Sequence, residues 1–323
     1  MTMSSLGTRP IENQSAGCRD RTAQVTAELA ALAAGTRNWL IGNLIQLHPS
    51  HSQLDVTPRV KFGLEISLLR MLWSRWRPDD HELAALTEVV CAIWADPQFP
   101  ELMLGCSARY SRQYGVLGAA LAPADADGPH RAALADLAPT GYVAGYGKMA
   151  HLRLERRYYA DLAGLAHDYE SYRQLYERSI LVQGLRVAEL ELQQAYEVTH
   201  AFFHLFDYGD RQLELSADER AGACRLIEEM IDHFVAIQHW DLIAECLTCL
   251  CCLGIEPAGT AAGAAAVESL RAVQLPSGAL PGTSASRRVD PSTTPLEFFE
   301  GAFHVTLVTA MAAMQALGRT DDW

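Results

Sequence analysis

The segment Glu197 to Asp207, E-V-T-H-A-F-F-H-L-F-D, sets Glu197, His200, His204 and Asp207 at steps of three, four and three. At about 100° per residue on a helix, these four fall within roughly 80° of one another. Val198, Ala201, Phe202 and Leu205 point mostly elsewhere, so one flank is ionisable and the other apolar. Two imidazoles and two carboxylates in one stripe suit a metal ion or a proton-transfer site. Histidines one turn apart are how zincins place two nitrogens on one ion, and Glu-x-x-His serves the metal sites of helical bundles. Glu197 and Asp207 lie about 15 Å apart along the axis at about 1.5 Å per residue, so one ion takes two or three ligands here and one from another helix. The competing reading makes His200 and His204 hydrogen-bonded core side chains. An acid in a last helical turn opposes the dipole, so Asp207 needs another reason to be there.

Two more apolar helices carry polar stripes. One holds Asp241, Glu245, Thr248 and Cys249, with its acids one turn apart, a spacing that also suits ordinary capping of a helix start. The other begins near His304 and runs through Thr309. The candidate catalytic set is His200, His204, Asp207, Glu197, Glu245 and His304. The candidate metal ligands are His200, His204, Asp207 and His304, a mixture of imidazole and carboxylate that suits zinc, iron(II) or manganese. Metal-free acid–base work by the imidazoles is equally open, with Glu197 orienting His200. In H-L-R-L-E-R-R-Y-Y, Arg153 and Arg157 either ion-pair with Glu155 on a surface or meet an anionic substrate group. Asp241 and Cys249 complete the candidate substrate contacts.

The elements that must position these residues are helical. Apolar residues recur at three and four from Arg21 to Leu47, where Gly35 is expected to split the run into two helices. Further helices are expected at about 60–76, 81–95, 99–114, 131–138, 147–165, 168–182, 185–207, 217–238, 240–253, 260–273 and 295–317, with a loop over 119–130. Alternating apolar runs are missing, so no strand is expected. Residues 1–20 read as a flexible lead-in and 21–323 as a single helical domain. Sequential helical pairs with short loops predict an all-α fold, a solenoid or a closed toroid of helical hairpins around a central cavity.

Gln274-Leu-Pro-Ser-Gly278-Ala-Leu280-Pro-Gly282 resembles the Q-x-x-x-G turn of the superfamily of terpenoid cyclases and protein prenyltransferase β subunits. Phe298-Phe299-Glu-Gly-Ala-Phe303-His304-Val-Thr306 resembles the segment by which the prenyltransferase β subunit supplies a zinc-binding histidine, and His304 matches that position. The resemblance covers about residues 274–317 and implies an (α/α)6 toroid with His304 facing inward. The Asp-x-Cys ligand pair, the D-x-D-D motif of squalene-type cyclases and the Cys-His-Gly zinc motif of lanthionine-forming cyclases are not in this sequence, so neither prenyl transfer nor cyclisation is implied. The stretch from Tyr196 to Gly209 is also similar to an uncharacterised bacterial family of helical proteins found beside natural-product genes.

Composition narrows the function. The 323 residues are 49% hydrophobic and 20% charged, the balance of a globular chain. A formal net charge of -13 disfavours nucleic acid and anionic membranes as partners. No apolar run reaches membrane-spanning length, and the polar start M-T-M-S-S-L-G-T-R-P carries no signal-peptide core, so a cytoplasmic location is expected. Cys246, Cys249, Cys251 and Cys252 lie in a helical apolar run and read as buried free thiols. Trp39, Trp73 and Trp76 read as packing residues; Trp73, Trp76 and Phe99, if exposed, would serve a homodimer contact. The leading expectation is a biosynthetic tailoring enzyme with a small-molecule or peptide substrate in the toroid cavity. The alternative is a non-catalytic peptide- or protein-binding helical scaffold.

Overall fold

A computed structural model describes residues 12–105, 111–123 and 150–318. Among the described residues the fold is all-α, without strands, and contains twelve α-helices. They are α1 (Glu12–Gly42), α2 (Val56–Trp76), α3 (Glu82–Ala95), α4 (Phe99–Gly105), α5 (Ser111–Leu121) and α6 (Ala150–Leu162). The second half adds α7 (Tyr172–Glu177), α8 (Leu192–Phe206), α9 (Ala217–Ala236), α10 (Trp240–Cys252), α11 (Ala261–Val273) and α12 (Pro295–Leu317). No helix among the described residues is long and apolar enough to cross a membrane.

Local sequence sets the helix starts. Ser216 and Glu219 form a capping box at α9, and Thr294 and Glu297 form one at α12, where Pro295 takes the first turn. Glu191 and Gln194 do the same for α8. Several expected boundaries move. Helix α1 starts at Glu12, inside the segment expected to be a lead-in. It also runs unbroken through Gly35, which was expected to split it. The reason is packing: a Cβ on Gly35 would lie 2.5 Å from Nε2 of Gln274, so the glycine admits a neighbour instead of ending a helix. The expected helix over 168–182 shrinks to α7 and a 3-10 turn at Ile180–Val182. Helix α5 runs to Leu121, past the start of the expected loop at 119. The helix expected at 131–138 lies outside the described residues.

Two sets of helices emerge from the packing. Helix α2 lies against α12, α12 against α10, α10 against α8, α8 against α6, α6 against α5, and α5 returns to α2. The remaining helices back this cycle: α1 covers α12 and α11, α3 covers α2, α9 covers α10 and α11, and α7 covers α6 and α8. Helix α10 is buried along its whole length, including Cys246, Cys249, Cys251 and Cys252, which are free thiols as expected. Phe62, Phe299, Phe303 and Trp39 pack ring against ring where α1, α2 and α12 converge. Trp73 and Phe99 are fully buried, so neither serves the homodimer contact considered for them.

The Gln274–Gly278 turn has a structural task. Gln274 Nε2 donates to the carbonyls of Leu32 and Gly278, at 3.2 and 2.9 Å. Gly278 has φ +96°, and a Cβ there would lie 2.0 Å from the carbonyl oxygen of Gly35. The motif therefore locks the end of α11 onto α1 at two facing glycines.

Candidate functional site

A cavity of about 170 Å³ is lined by residues from every member of the helical cycle. Leu64, Leu68, Leu117, Leu121, Leu307 and Met311 form its apolar wall. Its polar wall holds Glu65, Glu155, His200, His204, Glu245 and His304. A second cavity, of about 470 Å³, shares Glu155, His200 and His204 with the first and adds Lys61, His151 and Glu197. His200, His204 and His304 line the first cavity together, and α8, α10 and α12 each contribute to its wall.

The charged centre is not the expected one. His304 Nδ1 lies 3.0 Å from Oε1 of Glu65 on α2, and its Nε2 lies 3.4 Å from Oδ1 of Asp241 on α10. Asp241, Glu245 and His304 each offer a ligand atom within 4.8 Å of the others. The outer atoms of both acids are engaged. Tyr196 donates its hydroxyl to Asp241 Oδ2 at 2.7 Å, and Thr199 donates its hydroxyl to Glu245 Oε2. Asp241 is 1% exposed, and its Oδ1 has no hydrogen bond. Glu245 Oε1 lies 3.6 Å from His200 Nε2.

Electrostatics divides the histidines into two kinds. Burial alone would lower the pKa of His304, but the charges of Glu65 and Asp241 outweigh it and hold it well above 6.5. Burial raises and His304 lowers the pKa of both Glu65 and Asp241; the imidazole wins in each. His200 follows the same pattern more mildly: burial opposes its charge, yet Glu245 raises its pKa. Half of the His200 side chain is nonetheless accessible, because it faces the cavities. His204 is the reverse case. Burial, then the neighbouring His200 and Arg211, push its pKa well below 6.5. Its ring is 5.0 Å from that of Tyr158 and 5.6 Å from that of Tyr159.

Several expected roles are corrected. Asp207 is not a ligand beside His200 and His204. Helix α8 ends at Phe206, and Asp207 follows as a left-handed cap with φ 46°. Its carboxylate is taken by Arg75 at 2.9 Å and by the Tyr158 hydroxyl at 2.7 Å. The partner that justifies an acid at this helix end is therefore a cation from α2. Glu197 does not orient His200; it lies 3.4 Å from His151, and Glu245 is the acid beside His200. Cys249 is fully buried and points its thiol at the Thr199 carbonyl, away from substrate space. Thr309 is also fully buried. Arg153 pairs with Glu170 at 2.6 Å, and Arg157 contacts Asp161 and the backbone carbonyls of Tyr169 and Glu170. Both arginines tie α6 to the segment before α7. Arg153 does line a separate cavity of about 360 Å³ with Glu170 and Arg178, but its charge there is already met by Glu170.

Glu65, Tyr196 and Thr199 were missed. Glu65 left a trace: it is the sole acid in the 21 residues of α2 and sits in the apolar run F-G-L-E-I-S-L-L. Tyr196 and Thr199 left none, since a hydroxyl beside an apolar helix face is ordinary core chemistry.

Fold and site together define an all-helical protein in which an ionisable cluster opens on an internal, mostly apolar cavity. Residues 33–314 match the family described as "Domain of unknown function (DUF6895)", and the chain belongs to it. No curated protein matches the chain. No solved structure matches it either.

Proposed function

We propose that the closed cycle of α2, α5, α6, α8, α10 and α12 is the inner wall of an (α/α) toroid, and that its cavity is the reaction chamber of a biosynthetic tailoring enzyme. One observation carries this reading: His200, His204 and His304 converge with Glu65, Glu155 and Glu245 on a single cavity whose remaining wall is leucine, valine, methionine and aromatic side chains. Concave, mostly apolar sites with a few convergent polar groups are where small ligands bind. Buried groups with shifted pKa values beside such a space favour chemistry over packing.

The residues divide the work. The apolar wall holds the body of a small molecule or the side chain of a peptide. His200, raised by Glu245 and half accessible, donates or accepts a proton at the substrate's polar end. His304, held by Glu65 and Asp241, keeps the adjoining wall polar and fixes where that end lies. His204 is neutral and positions His200 by packing against it, ring centroids 6.1 Å apart.

The test compares the protein with His200→Ala in extracts of the producing cells, followed by untargeted mass spectrometry. The wild-type chain is expected to consume defined compounds, and His200→Ala to do so at least about 100-fold more slowly, the usual contribution of a general acid or base. Unchanged extracts, or equal consumption by the variant, would overturn the enzyme reading in favour of an inert scaffold.

A further inference from the structure

The cluster beside the cavity has more than acid–base geometry. We propose that Asp241, Glu245 and His304 bind one first-row divalent metal ion, with Glu65, Tyr196 and Thr199 holding the three ligands from behind. The site differs from the helical stripe of His200, His204 and Asp207, whose carboxylate is engaged by Arg75 and Tyr158. The proposal takes its cavity from the reading above, but its test needs no substrate.

The arrangement behind the ligands is the main argument. A metal-bound histidine usually gives its second ring nitrogen to a carboxylate, which fixes the ring and makes it a better ligand. Glu65 stands beside that nitrogen, 3.0 Å from His304 Nδ1 though outside hydrogen-bond geometry, and His304 Nε2 lies 3.4 Å from Asp241. Ligating carboxylates are likewise held by hydrogen bonds from outside. Tyr196 occupies Asp241 Oδ2 and Thr199 occupies Glu245 Oε2. The oxygen of Asp241 nearest His304 is left buried without a hydrogen bond. That oxygen faces only the imidazole, at 3.4 Å, too far for a good hydrogen bond, and a cation at metal–ligand distance would satisfy it more directly.

Charge and shape agree. Three carboxylates, Glu65, Asp241 and Glu245, gather at His304, with Lys61 at 3.6 Å from Glu65 and His200 at 3.6 Å from Glu245 as the other cationic neighbours. An ion at about 2.0–2.2 Å from each ligand requires the three atoms, now within 4.8 Å of one another, to draw together by side-chain rotation. Glu245 and His304 also line the cavity, so one side of the ion faces substrate space, as in metal sites that keep an open position. One imidazole with two carboxylates is a borderline-hard set suited to manganese, iron(II) or zinc, and the thiol of Cys249 is turned away.

The full-length protein, stripped with chelator and dialysed, is titrated with Mn2+ and Zn2+ by calorimetry and with Co2+ by visible absorption. One equivalent per chain is expected. Asp241→Asn, which retains an acceptor for Tyr196, should weaken binding by at least about 100-fold, and Glu65→Gln by about 10- to 100-fold. Asp207→Asn should leave the affinity within about threefold, since its carboxylate lies elsewhere. Far-UV circular dichroism and a cooperative melt establish that each variant folds; if Asp241→Asn does not, Glu245→Gln replaces it. Failure to saturate at one equivalent with any of the three ions overturns the proposal, as does binding that Asp241→Asn or Glu245→Gln leaves unchanged. Metal binding without any compound consumed sinks the enzyme reading alone; consumption by a chain that binds no metal sinks only the metal.

Discussion

Glu65 and His304 are 239 positions apart in the chain and 3.0 Å apart in space, joining α2 to α12 across the cavity wall. The contact is mostly shielded, with 18% and 25% of the two side chains exposed. Replacing Glu65 by Ala removes one partner and leaves the imidazole short of charge. A loss of roughly 1–3 kcal/mol is expected, the cost of leaving a buried polar group without its partner. Urea unfolding of Glu65→Ala measures it; a change below about 0.5 kcal/mol would mean that Asp241 alone holds His304.

His204 makes stability depend on acid. Its folded pKa is depressed, so between that value and about 6.5 the unfolded chain binds a proton that the folded chain refuses. The folded state is therefore favoured above pH 6.5 and loses up to about 1.4 kcal/mol per pH unit below it. His200 and His304 have raised values and act with the opposite sign, their stabilisation being lost as pH rises through them. The difference between wild type and His204→Phe isolates the first effect. That difference should shrink steadily as pH falls from 6.5 to 5.0, read from urea midpoints; a constant offset would show that His204 is charged in the fold.

Asp207 serves structure. Its left-handed backbone suits Asn as well as Asp, whereas Ala is strained there. Asp207→Asn loses only the charge of the Arg75 contact and should cost about 1 kcal/mol or less, given that Arg75 is 28% exposed. Asp207→Ala loses both hydrogen bonds as well and should cost about 2–3 kcal/mol. Thermal melts of the two variants test the order; equal melting temperatures would show that neither the left-handed backbone nor the two hydrogen bonds contributes.

The glycine pair between α1 and α11 admits no side chain. Gly278→Ala forces a Cβ to within 2.0 Å of the Gly35 carbonyl oxygen at a φ of +96°. A cost of about 3 kcal/mol or more is expected from strain and displaced packing. A melting temperature within about 2 °C of wild type would show that the turn is not fixed against α1.

Much of the fold was legible because helices declare themselves locally. The runs at 217–238, 240–253, 260–273 and 295–317 needed only apolar spacing and caps, and α9 to α12 follow them within two residues at each end. Gly35 misled because a glycine that ends a helix and one that admits a neighbour look alike in sequence. The site was half legible. His200, His304, Asp241 and Glu245 stood out as polar residues on apolar helices, but which acid meets which imidazole was assigned by nearness in the chain. Spacing favoured Glu197 and Asp207 as partners of the histidines; packing gave His200 to Glu245 and His304 to Glu65 and Asp241.

Sequence by itself determined that this chain is helical, where most helices lie, and which of their faces carry ionisable groups, because a period of 3.6 residues and capping chemistry are local. Only the tertiary structure decided that α2 closes against α12 and brings Glu65 to His304, and that Arg75 takes Asp207 out of the site. Those pairings depend on how helices distant in the chain pack together, and burial, which sets the charge on each imidazole, exists only once they have packed.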